Sequence, residues 1–110
     1  MVEQSPDIDS IFRAIADPTR RQMLEELAFC DRTIGELADP LDMTLAGASK
    51  HIGVLEKAGL VRRQKQGRKR ICTLRADGLY AVRDWVERYS AFWTDRLDAL
   101  EEALKENPND

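Results

Sequence analysis

The chain has 110 residues, 43% of them hydrophobic and 34% charged, which suits one soluble domain with a single modest core. No apolar run approaches the roughly 20 residues a membrane span needs, the N-terminus is polar and acidic through Asp9, unlike a secretory leader, and two cysteines are too few for a disulfide framework. A cytoplasmic protein without membrane contact is therefore expected. The formal charge of -3 conceals an asymmetry: Met43 to Arg75 holds nine basic residues against the single acid Glu56, a net of +8, while the remainder holds eight basic and nineteen acidic residues, a net of -11. Charges more than about 10 Å away are screened at physiological salt, so the basic stripe decides what that surface attracts.

Residues 1 to 7 and Asn107 to Asp110 show no periodicity and are expected to be loose ends. Ile8, Ile11, Phe12 and Ile15 follow the i, i+3, i+4, i+7 rule and predict a first helix over 8–16. Asp17 is a good N-cap and Pro18 stands at the first helical position, so a second helix runs to about Ala28 with Met23, Leu24 and Leu27 inward. Thr33 and Glu36 have the spacing of a reciprocal capping box, opening a short third helix that buries Ile34, Leu37, Ala38 and Leu41, with Pro40 limiting its length. Thr44 caps a fourth helix whose inward face is Leu45, Ala48, Ile52 and Leu55 and which stops at Gly59. Leu60 and Val61 lead into a polar run, and Ile71 and Leu74 resume the apolar positions after Gly67, a pattern that predicts a two-stranded hairpin with a basic tip.

Asp77 and Gly78 introduce a last helical pattern in which Leu79, Val82, Val86, Tyr89, Trp93, Leu97, Leu100 and Leu104 recur at steps of three or four. Its apolar repeat spans roughly 39 Å at about 1.5 Å per residue, more than so small a core can cover. A second copy of the chain is the expected cover. The fold class is thus mainly α with a small β-hairpin, about five helices plus a two-stranded wing, in one domain over 1–110 with 8–16 and 77–104 as terminal dimerisation helices. The expected interface comprises Ile8, Ile11, Phe12, Leu79, Val82, Val86, Tyr89, Trp93, Leu97 and Leu100.

Two short helices joined by a tight turn over 34–58, followed by a basic hairpin, have a direct physical reading. An α-helix fits the major groove of B-DNA, and flanking cations hold the phosphates. The face of the fourth helix opposite its apolar stripe presents Ala46, Gly47, Ser49, Lys50 and His51, and Thr44 offers its hydroxyl at the helix start. Gly47 costs that helix about 1 kcal/mol against alanine. Six of the nine residues from Arg62 to Arg70 are basic and none is acidic: Arg62, Arg63, Lys65, Arg68, Lys69 and Arg70 are the candidate wing contacts, with Arg20 and Arg21 as second-rank backbone contacts. His51 is the only histidine and stands at no informative spacing from a nucleophile, so no enzymatic activity is expected. Cys30 and Cys72 are expected to be small buried hydrophobes, although Cys72 close to Arg70 has the positive surroundings a redox-sensitive thiol needs. The final helix mixes Arg83, Arg88 and Arg96 with Asp84, Glu87, Asp95 and Asp98, unlike the basic face of a membrane-surface helix.

Ala16-Asp17-Pro18-Thr19-Arg20-Arg21, Thr33-Ile34-Gly35-Glu36-Leu37-Ala38, Ala48-Ser49-Lys50-His51-Ile52, Val54-Leu55-Glu56-Lys57-Ala58-Gly59-Leu60-Val61 and Gly67-Arg68-Lys69-Arg70 together resemble the ArsR/SmtB-type winged helix-turn-helix repressors over about residues 10 to 104. The resemblance implies a homodimer that represses transcription, its fourth helices in successive major grooves and its wings on the flanking minor grooves of an inverted-repeat operator. Metal-sensing members carry cysteines at the start of the third helix or Asp and His ligands on the last. Here Thr33 stands at the first place, Cys30 lies upstream, and the last helix has no histidine. The resemblance therefore points to the branch without a recognisable metal site, with no cofactor expected, and names no small-molecule or metal effector. Two alternatives share the fold: a protein-interaction module without operator recognition, whose partner binding would be insensitive to salt, and a thiol- or metal-responsive repressor.

Overall fold

The structure, a computed structural model, describes residues 7–106; the loose ends expected at 1–6 and 107–110 lie outside them. Asp7, counted with the first loose end, instead caps α1 (Ile8–Ile15), accepting from the Asp9 N–H at 3.2 Å and the Ser10 hydroxyl at 3.0 Å. In α2 (Pro18–Phe29) the Asp17 carboxylate accepts from the Thr19 and Arg20 N–H groups at 2.7 and 3.1 Å. Those two donors are among the four a helix start leaves unpaired. The Arg20 and Thr19 amides hold the Asp17 carboxyl below its ordinary range.

A two-residue strand, β1 (Arg32–Thr33), precedes α3 (Ile34–Ala38), whose capping box is complete: Glu36 N–H donates to Thr33 Oγ1 at 3.1 Å and Thr33 N–H to Glu36 Oε1 at 2.8 Å. α3 is shorter than expected, because Pro40 sits in a 3₁₀ turn, Asp39–Leu41, closed by Asp42 at φ 53°. After α4 (Leu45–Lys57), β2 (Val61–Gln66) and β3 (Lys69–Leu74) form the hairpin. Gly67 holds φ +63° at the first of the two loop positions, where a type II′ turn needs a left-handed residue.

The sheet holds the expected two-stranded wing, β2 and β3, and one further strand. It has three antiparallel strands in the order β1-β3-β2, with Arg32 opposite Cys72 and Thr33 opposite Ile71. Two residues are too few to leave an alternating pattern, and β1 exists only because β3 supplies a hydrogen-bonding edge. It ties the capped start of α3 to the wing.

Ile11, Met23, Leu37, Ile52, Leu55, Leu60 and Cys72 are fully buried in one core beneath α1–α4 and the sheet. Each large aliphatic side chain among them contributes about 1.5–3 kcal/mol. Ile11 thereby leaves the expected interface set, because at 0% exposure it has no surface to offer a partner. Leu45 is a second correction: expected inward, it is 63% exposed, since the first turn of α4 projects past the core.

α5 (Asp77–Glu106) is one uninterrupted helix of 30 residues. Its start packs so closely that a Cβ at Gly78 would stand 2.8 Å from Leu60 Cδ2 and 3.4 Å from Ile11 Cδ1. Leu79 and Val82 pack on the core, Phe12 meets Trp85 edge to face at 5.2 Å, and every residue from Arg83 to Glu106 is exposed. Val86, Tyr89, Trp93, Leu97, Leu100 and Leu104 form a bare apolar stripe along the helix. No helix is long and apolar enough to cross a membrane among the described residues.

Candidate nucleic-acid interface

α3 and α4 are the two helices of a helix-turn-helix, and the wing follows α4 directly. The Thr44 hydroxyl accepts from the Gly47 N–H at 3.0 Å, and a Cβ at position 47 would stand 3.2 Å from that same oxygen, so the glycine serves the cap. Leu45, Ala46 and Lys50 are exposed, while Gly47, Ser49 and His51 are half-buried. Between this first part of α4, the start of α3 and the wing tip lies an open groove of about 640 Å³, lined by Thr33, Ile34, Gly35, Glu36, Leu45, Ala46, Ser49, Arg68, Lys69 and Arg70. The expected helix contacts Ala46 and Ser49 thus share one groove with three of the expected wing cations.

The wing cations divide into two kinds. Arg62, Lys65, Arg68, Lys69 and Arg70 are exposed, and none of them has a carboxylate partner among the described residues. Lys65 lies directly opposite Arg70 in the hairpin register, a like-charge pair that destabilises a two-stranded ladder unless an anion sits between the two.

Arg63 is different, because its guanidinium turns back onto α4. Nη1 donates to Ser49 Oγ at 3.0 Å, and Nε and Nη2 donate to Glu56 Oε1 at 3.2 and 3.1 Å. It passes over Gly53, where a Cβ would come within 3.7 Å of Nη2. Ser49, Gly53 and Glu56 recur at helical spacing, so Arg63 lies along one strip of α4 and braces the wing against it.

Arg20 and Arg21 have a comparable inward role. Arg20 donates from Nε to the Ala14 carbonyl at 2.7 Å and from Nη2 to the Arg13 carbonyl at 3.1 Å, and Arg21 Nη1 donates to the carbonyls of Ile15 and Ala16 at 2.8 and 3.0 Å. They close the C-terminal end of α1, whose last carbonyls lack helical partners. Arg20 Nη1 also donates to His51 Nδ1 at 3.2 Å. An arginine has only donors, so in this contact Nδ1 is the accepting nitrogen. Sequence reasoning missed these braces because two of them join residues 14 and 31 positions apart and the rest run between elements, across five to seven residues, where no periodic pattern records them. The one signal available was Arg63 at a strand position beside a glycine-containing helix.

The two thiols also separate. Cys72, expected in positive surroundings, is wholly buried in β3, and burial pushes its thiol up, the opposite of what a reactive cysteine needs. Cys30, expected to be buried, is exposed. Among the described residues no three His, Cys, Asp or Glu side chains cluster as metal ligands would.

Comparison with known proteins agrees with this geometry. The family model described as a helix-turn-helix domain matches residues 15–64, from the end of α1 into the wing. The HTH-type transcriptional regulator Rv2034 of Mycobacterium tuberculosis is 34% identical over 102 residues, 93% of this chain and 92% of that one. The transcriptional repressor SdpR of Bacillus subtilis is 32% identical over 60 residues, 54% of this chain and 67% of that one. Among solved structures, the ArsR family transcriptional regulator RHA00566 superposes with a TM-score of 0.74 at 41% identity, covering 79% of this chain and 90% of that one. The chain belongs to the ArsR-type winged helix-turn-helix transcriptional regulators.

Proposed function

We propose that this chain is a repressor that binds an inverted-repeat operator in double-stranded DNA as a homodimer. The observation that carries the reading is the groove in which the first turns of α4 face Arg68, Lys69 and Arg70 of the wing tip, which have no carboxylate partner among the described residues. α4 enters the major groove with Thr44, Ala46, Gly47, Ser49, Lys50 and His51, and Arg62, Lys65, Arg68, Lys69 and Arg70 hold the backbone. Phosphate oxygens relieve the Lys65–Arg70 repulsion, so bound DNA tightens the hairpin. Arg63 acts from behind, keeping the wing at its angle to α4.

The dimer rests on the bare stripe of α5. Phe12, Val86, Tyr89, Trp93, Leu97 and Leu100 meet a second copy, with Leu79 and Val82 at the margin of each protomer's own core and half-buried Ile8 at the start of α1. Large apolar side chains left in water along some four turns are a strong incentive to pair. Repression follows from occupancy of the operator, and the name of the Bacillus subtilis relative supports that sense.

The test is selection from a pool of random duplexes followed by a salt titration on what enriches, with sedimentation measured alongside. An enriched inverted repeat, a steep negative slope of log affinity against log salt and a two-chain mass are expected. Binding that is steep in salt while no sequence enriches leaves a non-specific DNA binder, and the absence of binding at any salt favours the protein-interaction module.

A further inference from the structure

Leu45 is the apolar side chain that the core does not account for within the groove described above. A lone exposed leucine carries no message by itself; its position does. It occupies the first helical position of α4, is 63% exposed, and stands in the same groove as Ala46, Ser49, Arg68, Lys69 and Arg70. It also lies beside α3: a Cβ built on Gly35 would stand 3.7 Å from Leu45 Cδ2, so one methyl of Leu45 faces the start of α3 while the side chain stays mostly exposed.

We infer that Leu45 is a specificity-determining residue, its isobutyl group meeting the C5-methyl of a thymine in the major groove. This inference rests on the operator-binding reading. The hydroxyl of Ser49, the ammonium of Lys50 and the ring of His51 offer hydrogen bonds, which leave the thymine methyl unread, and the single methyls of Thr44 and Ala46 end closer to the helix axis than the isobutyl group of Leu45. A methyl on a base edge is read by apolar contact, and Leu45 supplies that contact beside cations that fix the helix on the backbone. An apolar residue left exposed at the leading turn gains burial only when a partner covers it, and a methyl group on the groove floor is such a partner.

The experiment uses the intact protein and the duplex enriched from the random pool, with each thymine replaced in turn by uracil, which removes only the methyl. Wild-type protein is expected to lose about fourfold in affinity at one thymine of each half-site, the worth of one buried methyl. Leu45→Ala, read at lower salt where phosphate contacts sustain binding, is expected to bind the thymine and uracil duplexes equally, and Leu45→Met to retain most of the discrimination. Unchanged thermal unfolding of Leu45→Ala confirms that the fold is intact. Wild-type indifference to every substitution, or a Leu45→Ala protein that keeps the wild-type ratio, overturns the inference while leaving operator binding in place. A pool in which nothing enriches overturns operator recognition itself, and this inference with it.

Discussion

Replacing Arg63 by alanine tests whether this cation braces the protein or holds DNA. The wild-type side chain makes three short contacts with α4, one to Ser49 and two to a single oxygen of Glu56. Arg63 and Glu56 side chains retain 23% and 40% of their exposure, so the ion pair belongs near the top of the surface range, about 1 kcal/mol. The Ser49 hydrogen bond adds about 1 kcal/mol. Arg63→Ala should therefore cost about 2 kcal/mol, a fall of about 1 M in the urea midpoint for a protein of this size. The affinity for DNA should fall as well, because the wing loses its angle and Glu56 is left as an uncompensated anion on α4. The slope of log affinity against log salt should stay unchanged, since no phosphate contact has gone. An unaltered urea midpoint together with a slope shallower by about 0.9 would refute the brace and return Arg63 to the phosphate-contacting set. A double-mutant cycle with Glu56→Gln isolates the ion pair from the packing over Gly53.

Three further outcomes follow from the same structure. Gly78→Ala should destabilise by about 1–3 kcal/mol in urea unfolding despite alanine's better helix propensity, because the new methyl would press within 2.8 Å of the buried Leu60; a stabilised variant would mean that the α5 start is free to shift. Asp17 and Glu36 both accept backbone N–H groups that hold their carboxyls below the ordinary range, so their contribution is present above the unfolded-state carboxylate pKa and disappears as pH falls through the lower folded values. Acid unfolding should accordingly begin below about pH 4, and Asp17→Asn with Glu36→Gln should flatten that limb of the stability curve. Alkylation of the native protein at neutral pH should modify exposed Cys30 within minutes and reach Cys72 only through unfolding; equal rates would place Cys72 at a surface.

Much of the fold was legible because its signals are local. Caps at Asp17, Thr33 and Thr44 act within three residues of themselves, and the helix stripes of α1, α2 and α5 and the left-handed Gly67 follow from short-range sterics and periodicity. The basic stripe, too, is a property of composition along the chain. Sequence alone therefore determined the order of the helices and the hairpin, the winged helix-turn-helix class and where the cations concentrate.

Tertiary structure decided which of those residues are free to act. Arg20, Arg21 and Arg63 have the same chemistry as Arg62 and Arg70, yet their donors are occupied by carbonyls, Ser49, Glu56 and His51. Leu45 fits the inward stripe by spacing and is exposed because the core ends before the first turn of α4; Ile11 fits the outer face of a dimerisation helix and is wholly buried because α5 crosses it at Gly78. β1 needs the edge of β3 to exist at all. Each of these depends on what another element brings alongside, and periodicity records only which face of an element is apolar, not where the core beneath it stops.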